Sequence, residues 1–463
     1  MSLGSRLLVV LSSIALLTGL GSPAGAADET TPTTVTITAA PAYADATTTL
    51  VVDLVDQSGA PVAGASVLLE RSSDGAWTPS GTVTTGADGR ATSDVPVGRD
   101  PADNAVRATY AGDAVHSPST AETRLQIQRR SSTLAISGPR SVVDERQVTL
   151  TIRWRTGSGQ PIAGAVRVYR ALGRGDFKPY RTVRTGADGR AELRSTPRSD
   201  SRWRARAPQL AWVDAARSSV RRIDNLAPGD RVTLPKGAPS PRIRLPRQPH
   251  ATGDGAHVVV RRIPDAVWRQ MTGVTWHSGC PVGRTQLRLV RVNYWDYSGY
   301  RRRGELVANV DAARAMGAAL ADLYDHELPI RAMYRVDRFG WGSRSRGGDD
   351  YASMKAGNTS AFNCRDVTGR PGVRSPHSYG RAIDINTWEN PYRSAQGTVP
   401  NTWWQPRSHP LVAWRTTSHP VVELMARHGF RWTYGTGDTQ HFDYVGSRSR
   451  ASALPEECER FCD

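Results

Sequence analysis

Two stretches of the sequence carry residues that could do chemistry together. The first is Ser375-Pro376-His377-Ser378-Tyr379-Gly380-Arg381-Ala382-Ile383-Asp384-Ile385-Asn386. The second is Asp438-Thr439-Gln440-His441-Phe442-Asp443-Tyr444. Ala382-Ile383-Asp384-Ile385 reads as a short strand, with Ile383 and Ile385 on one face and Ala382 and Asp384 on the other. A loop bearing His377 ahead of Gly380 can fold back so that the imidazole meets the Asp384 carboxylate. Residues 440–445 alternate in the same way, with Phe442 and Tyr444 on the face opposite His441. Two imidazoles and one carboxylate are three borderline ligands, and a water in the fourth position completes an open zinc site of the catalytic kind. Asp438 stands three residues before His441. From there it can take a proton from the activated water and pass it to a leaving amine.

Other chemistries lack their residues. The sequence holds no HExxH helix, nucleophile elbow, phosphate loop or dinucleotide fingerprint. The remaining histidines read as structural. His428 falls at helical spacing with Val421, Leu424 and Met425, on a helix opened by Pro420 and closed by Gly429. His326 ends an amphipathic helix over Val310–Asp325, His409 and His419 each precede a proline, and His277 lies near Cys280 without a partner motif. A Gly/Ser/Arg/Asp-rich loop between Gly340 and Cys364 is expected to wall a substrate site. Trp388, Trp403, Trp404 and Trp432 flank the motifs, and most of them are expected in the core.

The pattern S-x-H-x-x-G-x-A-x-D followed by (D/E)-x-x-H resembles the zinc peptidases of family M15, the VanY-like D-Ala-D-Ala carboxypeptidases and L-Ala-D-Glu endopeptidases. Ser375, His377, Gly380, Ala382, Asp384, Asp438 and His441 all fall on it, and the likeness runs from about Cys280 to Tyr444. The resemblance implies a compact α+β Hedgehog/DD-peptidase fold, zinc held by His377, Asp384 and His441, and Asp438 as catalytic acid/base. It implies peptidoglycan stem peptides as substrate, with Ser375 at the substrate. Family members also place an arginine on the strand before the first motif to hold substrate or the developing oxyanion. Residues 329–335 read as such a strand and Arg335 is the candidate. Val336-Asp337-Arg338 follows in place of the family's context, so Arg335 stands either as that clamp or as a partner of Asp337. The expected activity is D-Ala-D-Ala carboxypeptidase, with L-Ala-D-Glu endopeptidase as the alternative. Outside enzymes the alternative is a wall-binding protein with an inert zinc site, against which Asp438 argues.

The elements around these motifs follow from repeats and composition. Thr85-Gly86-Ala87-Asp88-Gly89-Arg90-Ala91 recurs unchanged 100 residues later, at Thr185–Ala191. Upstream, Gly59-Ala60-Pro61-Val62-Ala63-Gly64-Ala65 matches Gly159-Gln160-Pro161-Ile162-Ala163-Gly164-Ala165. Residues 31–129 and 130–224 are therefore two copies of one module. Period-two runs such as Thr49–Val55 and Val148–Trp154 are strands, and Asp88-Gly89 and Asp188-Gly189 are turns. Such copies suit all-β immunoglobulin-like sandwiches and resemble the Ig-like modules of bacterial surface proteins. They serve either as spacers or as binders of wall polymer. The second copy is rich in arginine, at Arg167, Arg170, Arg174, Arg181, Arg184, Arg202, Arg204 and Arg206. Residues 225–255, dense in Pro, Gly and Arg, read as a semi-extended linker. Residues 256–463 form the zinc domain, which holds all four cysteines and nine of the 13 tryptophans at or beyond Trp268.

A chain of 463 residues asks for about three such domains. At the N-terminus Arg6, the 14-residue apolar run Leu7–Leu20 and Ala24-x-Ala26 have the anatomy of a secretory signal peptide over residues 1–26. No later stretch is apolar enough to span a bilayer. The mature protein is expected to be secreted, extracellular or wall-associated, and a monomer. Cysteines in an exported chain favour disulfides, and the expected pairs are Cys280–Cys364 and Cys458–Cys462. The net charge of +17 suits an anionic cell-wall polymer as partner, and export argues against nucleic acid.

Overall fold

The computed structural model describes residues 30–446 except 74, 368–369 and 395–396. The expected signal segment, Cys458 and Cys462 lie outside the described residues. In the first repeat, alternating sequences give two antiparallel sheets. One has the order Thr33–Ala39, Thr47–Asp56, Arg90–Pro96, and the other Ala76–Thr84, Ser66–Ser73, Ala105–Tyr110, Ser119–Arg124. Leu50, Val52 and Leu54 from the first sheet and Val67, Leu69, Val106 and Ala108 from the second meet in one core, as side chains alternating at period two require. The second repeat repeats the plan, with Ser132–Ser137, Val148–Thr156 and Arg190–Ser195 against a larger sheet centred on Ser201–Ala207 and Gly164–Leu172. Trp154 and Trp203 fill its core. The repeated turns need glycine for two reasons. Gly89 and Gly189 have φ of 74° and 73°, and a Cβ there would lie 2.6 Å from Leu54 O and 2.5 Å from Trp154 O.

The C-terminal unit is mixed. An antiparallel sheet of Val259–Arg262, Leu287–Trp295 and Arg301–Asn309 is covered by the helix Ala313–Asp325, through Met316, Ala319, Leu320 and Leu323. That helix begins three residues later than its periodicity suggests, because Ala312 N–H donates to Asn309 O in a turn. The helix Pro420–Arg427 packs into the same core through Val421, Val422, Leu424 and Met425. His419 caps its start, its ring accepting from Val421 N–H, and His428 at its end meets Asp322 Oδ2 at 2.7 Å. Both are structural, as expected. The same core supports a small sheet of Ala382–Asp384, His441–Tyr444 and Phe430–Arg431.

Two expectations need correcting. The stretch Gly340–Cys364 is not a loop. It forms a hairpin of Trp341–Gly342 with Gly347–Gly348, the helix Asp350–Lys355 capped by the Asp349 side chain, and the strand Asn358–Thr359. The stretch after Leu226 lacks helix and strand as far as Val258, but it is docked on the C-terminal unit. Trp388 Nε1 donates to Pro239 O at 2.7 Å, Gln248 Nε2 donates to Met333 O at 2.8 Å, and Val232 is buried.

Cys280 and Cys364 are disulfide-bonded, with Cα atoms 5.9 Å apart and a sequence separation of 84. Closing so long a loop restricts the unfolded chain. Replacing both cysteines by serine is therefore expected to cost about 2–4 kcal/mol, read as a lower urea midpoint under oxidising conditions and no difference under reducing ones. No helix among the described residues is long and apolar enough to cross a membrane.

Candidate metal centre

The strand register assembles the site. Ala382–Asp384 pairs antiparallel with His441–Tyr444 so that Asp384 lies opposite His441. His377 arrives from the neighbouring 3-10 turn Pro376–Tyr379. The chain then reverses at Gly380, whose φ is 68° and whose Cβ would sit 2.7 Å from Asn309 N. Only glycine meets both demands.

Three donor atoms converge. His377 Nε2 and His441 Nδ1 are 3.1 Å apart, His377 Nε2 and Asp384 Oδ1 3.2 Å, and His441 Nδ1 and Asp384 Oδ1 3.1 Å. All three residues are buried. Their tautomers follow from the outer partners. His377 Nδ1 is 2.7 Å from Ala361 O, a carbonyl that only accepts, so Nδ1 carries the proton. His441 Nε2 donates to Asp443 Oδ1 at 3.0 Å. With the outer nitrogens protonated, each neutral ring turns the lone pair of its inner nitrogen towards the same point as the Asp384 oxygen. Three such atoms facing one another in a buried place are held together either by protons on the rings or by a metal ion in their stead. Tetrahedral zinc with ligands at about 2.0–2.2 Å separates them by about 3.3–3.6 Å, slightly wider than the observed triangle. The donor set fits zinc.

The electrostatics point the same way. Burial alone would raise the Asp384 pKa, but the charge of His377 and the hydrogen bonds from His377 and His441 hold it well below the usual carboxylate range. Burial pulls His441 down, yet its bonds to Asp384 and Asp443 push it up to about 10. Such a nitrogen holds a proton unless a metal takes its place. Asp443 fixes the orientation of His441, and Gln440 Nε2 reaches Asp384 Oδ2 at 3.4 Å. Outer partners of this kind are worth about 10–100-fold in metal affinity. Asp443→Asn is expected to weaken zinc binding by that factor, measured by competition with a chromophoric chelator.

Asp438 lies just ahead of the His441 strand. The residue is half-buried, but its Oδ1 has no solvent contact and no hydrogen-bond partner among the described residues. Burial, with the Asp384 charge adding to it, pushes its pKa up to about 7, against the pull of His441 and Arg365. A carboxyl so poised suits proton transfer near neutral pH.

The structure brings His377, Asp384, His441 and Asp438 together, but not Arg335. The Arg335 guanidinium is committed to Asp337 at 2.9 Å, to Glu305 and to Gln270. It lines a separate cavity of about 1110 Å³ with Arg291, Arg303 and Glu305, which none of the four cluster residues touches. Ser375 is buried and caps the 3-10 turn, its Oγ accepting from His377 N–H, so it holds His377 in place. The second positive charge that acts on Asp438, after His441, is one the motifs do not mark. Arg365, next to the disulfide-bonded Cys364, is buried and paired with Asp350 at 2.8 Å, and its Nε has no partner among the described residues. Trp388 and Trp404 are core, whereas the exposed ring of Tyr434 lies 5.2 Å from that of His441. The triad His277, Cys280 and Cys364 also clusters, but its sulfurs are joined in the disulfide.

Residues 368–444 match the family model described as D-alanyl-D-alanine carboxypeptidase, of peptidase family M15. This segment is similar to an M15 peptidase. It contains Ser375, His377, Asp384, Asp438 and His441, and excludes Arg335. No curated protein matches the chain. Among solved structures, a Salmonella alpha-2-macroglobulin variant is 13% identical over 56% of this chain and 18% of its own, with a TM-score of 0.20. Escherichia coli alpha-2-macroglobulin is 12% identical over 56% of this chain and 26% of its own, with a TM-score of 0.19. The chain thus spans about a fifth to a quarter of the length of those proteins, and at such scores the likeness bears on neither fold nor site.

Proposed function

We propose that this protein is a secreted, zinc-dependent peptidase that hydrolyses peptidoglycan stem peptides, as a D-Ala-D-Ala carboxypeptidase. The observation that carries the reading is the convergence of His377, Asp384 and His441 on one point, with the unpartnered Asp438 oxygen beside them. In this reading those three residues hold zinc. When bound, zinc supplies Lewis acidity, activating a water as nucleophile and polarising the scissile carbonyl. Asp438 takes the proton of the attacking water at its unpartnered oxygen and returns it to the leaving amine nitrogen. In this reading Arg365, whose charge acts on Asp438, is the candidate to offset negative charge developing on the carbonyl oxygen or borne by a substrate carboxylate. The disulfide at the buried Cys364 and the ion pair with Asp350 keep that charge in place. Tyr434 offers an exposed ring at the rim. The two N-terminal repeats, read as immunoglobulin-like sandwiches, carry this unit away from the start of the chain.

The second reading keeps the chemistry and changes the bond. An L-Ala-D-Glu endopeptidase needs the same zinc, acid and arginine. Mass spectrometry of digested muropeptides separates the two. Loss of a single terminal D-Ala supports the carboxypeptidase, and release of an intact stem from L-Ala supports the endopeptidase. Unchanged muropeptides in the presence of bound zinc contradict both, and leave a wall-binding protein with an inert site.

A further inference from the structure

The two repeats share a fold but not a surface. Both carry a β-bulge at the same place, between Leu69 and Glu70 in the first and between Val168 and Tyr169 in the second. This aligns Glu70 opposite Arg107 with Tyr169 opposite Arg204. In the first repeat Arg107 is neutralised, by Glu70 at 2.7 Å and Glu122 at 3.9 Å. In the second repeat the same face has Arg167 opposite Arg206, and Arg206 opposite Arg217. Among the described residues no carboxylate pairs with Arg167, Arg204, Arg206 or Arg217. Burial lowers the Arg204 pKa, and the charges of Arg217 and Arg206 lower it further.

Like charges set side by side on neighbouring strands destabilise a sheet. The first repeat demonstrates that the fold does not need them. The arginines are nonetheless held in place. Arg204 lies over the Phe177 ring at 4.4 Å, Arg206 over Tyr169 at 5.3 Å, and Arg202 over Phe177 at 5.3 Å. The Nε atoms of Arg202 and Arg204 are buried without a hydrogen-bond partner. Stacking of this kind holds the guanidinium planes in fixed orientations.

We propose that the Arg167–Arg204–Arg206–Arg217 face of the second repeat binds a linear polymer of phosphodiesters. Guanidinium forks pair bidentately with phosphate oxygens. They are spaced about 4.8 Å from strand to strand and about 6.8 Å along one strand, which suits anions repeated along a chain rather than a single ion. The rings of Tyr169 and Phe177 are covered by guanidinium groups and are closed to the stacking that nucleobases use. The partner is therefore a polyol-phosphate chain rather than a nucleic acid. This site is separate from the metal centre and does not rest on the peptidase reading.

The test is titration of the full chain with synthetic poly(glycerol phosphate) at several salt concentrations. Changing Arg167, Arg204, Arg206 and Arg217 together to Gln is expected to weaken binding at least about tenfold and to flatten its salt dependence by close to four counterions. Changing Arg231, Arg242, Arg244 and Arg262 to Gln removes the same net charge and is expected to change binding less than about threefold. Tyr169→Glu gives Arg204 the partner that Arg107 has. It is expected to weaken binding without lowering the melting temperature, which guards against a misfolded variant. Three results overturn the proposal: equal weakening by the two quadruple variants, unaltered binding by Tyr169→Glu, or equally tight binding of a single-stranded DNA of matched charge. Binding is the readout, so failure of zinc retention or hydrolysis leaves the test intact.

Discussion

His441→Ala is expected to leave the protein without zinc and without hydrolysis of muropeptides. In the proposed reading His441 is one of the three zinc ligands. Its Nδ1 closes two edges of the donor triangle, to His377 Nε2 and to Asp384 Oδ1, and its Nε2 carries the outer bond to Asp443. Removing it leaves one imidazole and one carboxylate, which do not retain zinc in competition with water and buffer. Zinc content should fall from about one per chain to less than about a tenth, with hydrolysis down by about 10³-fold or more. The strand register of Asp384 and His441 is made by backbone bonds, so circular dichroism should be unchanged. A variant that keeps full zinc content would mean that the metal sits elsewhere.

Asp438→Asn is expected to separate chemistry from metal binding. Asparagine keeps the size of the side chain and cannot take a proton, so zinc remains and hydrolysis falls by about 10²–10⁴-fold, the usual share of general acid–base catalysis. The same substitution should stabilise the metal-free protein. The folded pKa of Asp438 is pushed up from 3.8 to about 7 by burial. A group raised in this way favours the folded state while protonated, and that contribution disappears as pH rises towards the folded value. Asparagine resembles the protonated acid at every pH. The melting temperatures of the two metal-free proteins should therefore coincide near pH 4, diverge as pH rises, and differ most above pH 7 with the variant higher. Loss of activity together with a gain in stability is the mark of a functional group held in an unfavourable place. A variant that hydrolyses at the wild-type rate would remove Asp438 from the reaction.

Much of this centre is legible in the sequence because it depends on local geometry. Alternation in Ala382–Ile385 and around His441 puts Asp384 and His441 on one side of their strands, and Gly380 marks the reversal that returns His377 to them. The periodic repeats give the two-sheet units for the same reason. Features that depend on distant partners are not legible. Arg335 follows a short strand as the resemblance requires, but Glu305 comes from a strand 30 residues earlier and, with Asp337, captures the guanidinium. Arg365 carries no motif. Its position is set by Asp350 on a six-residue helix and by a disulfide that reaches back to Cys280. That helix and the two-residue strands beside it are too short to leave a period in the sequence, so residues 340–364 read as a loop. The arginines of the second repeat can be counted from the sequence, but which of them lack a carboxylate depends on strand register and on the place of a bulge.

Hydrolysis of muropeptides by the full chain, followed through metal removal and reloading, tests the central claim most directly. Chelation should abolish hydrolysis, and addition of about one zinc per chain should restore it in full. Hydrolysis that persists in metal-free protein, or a zinc-loaded protein that leaves muropeptides intact, would contradict the account.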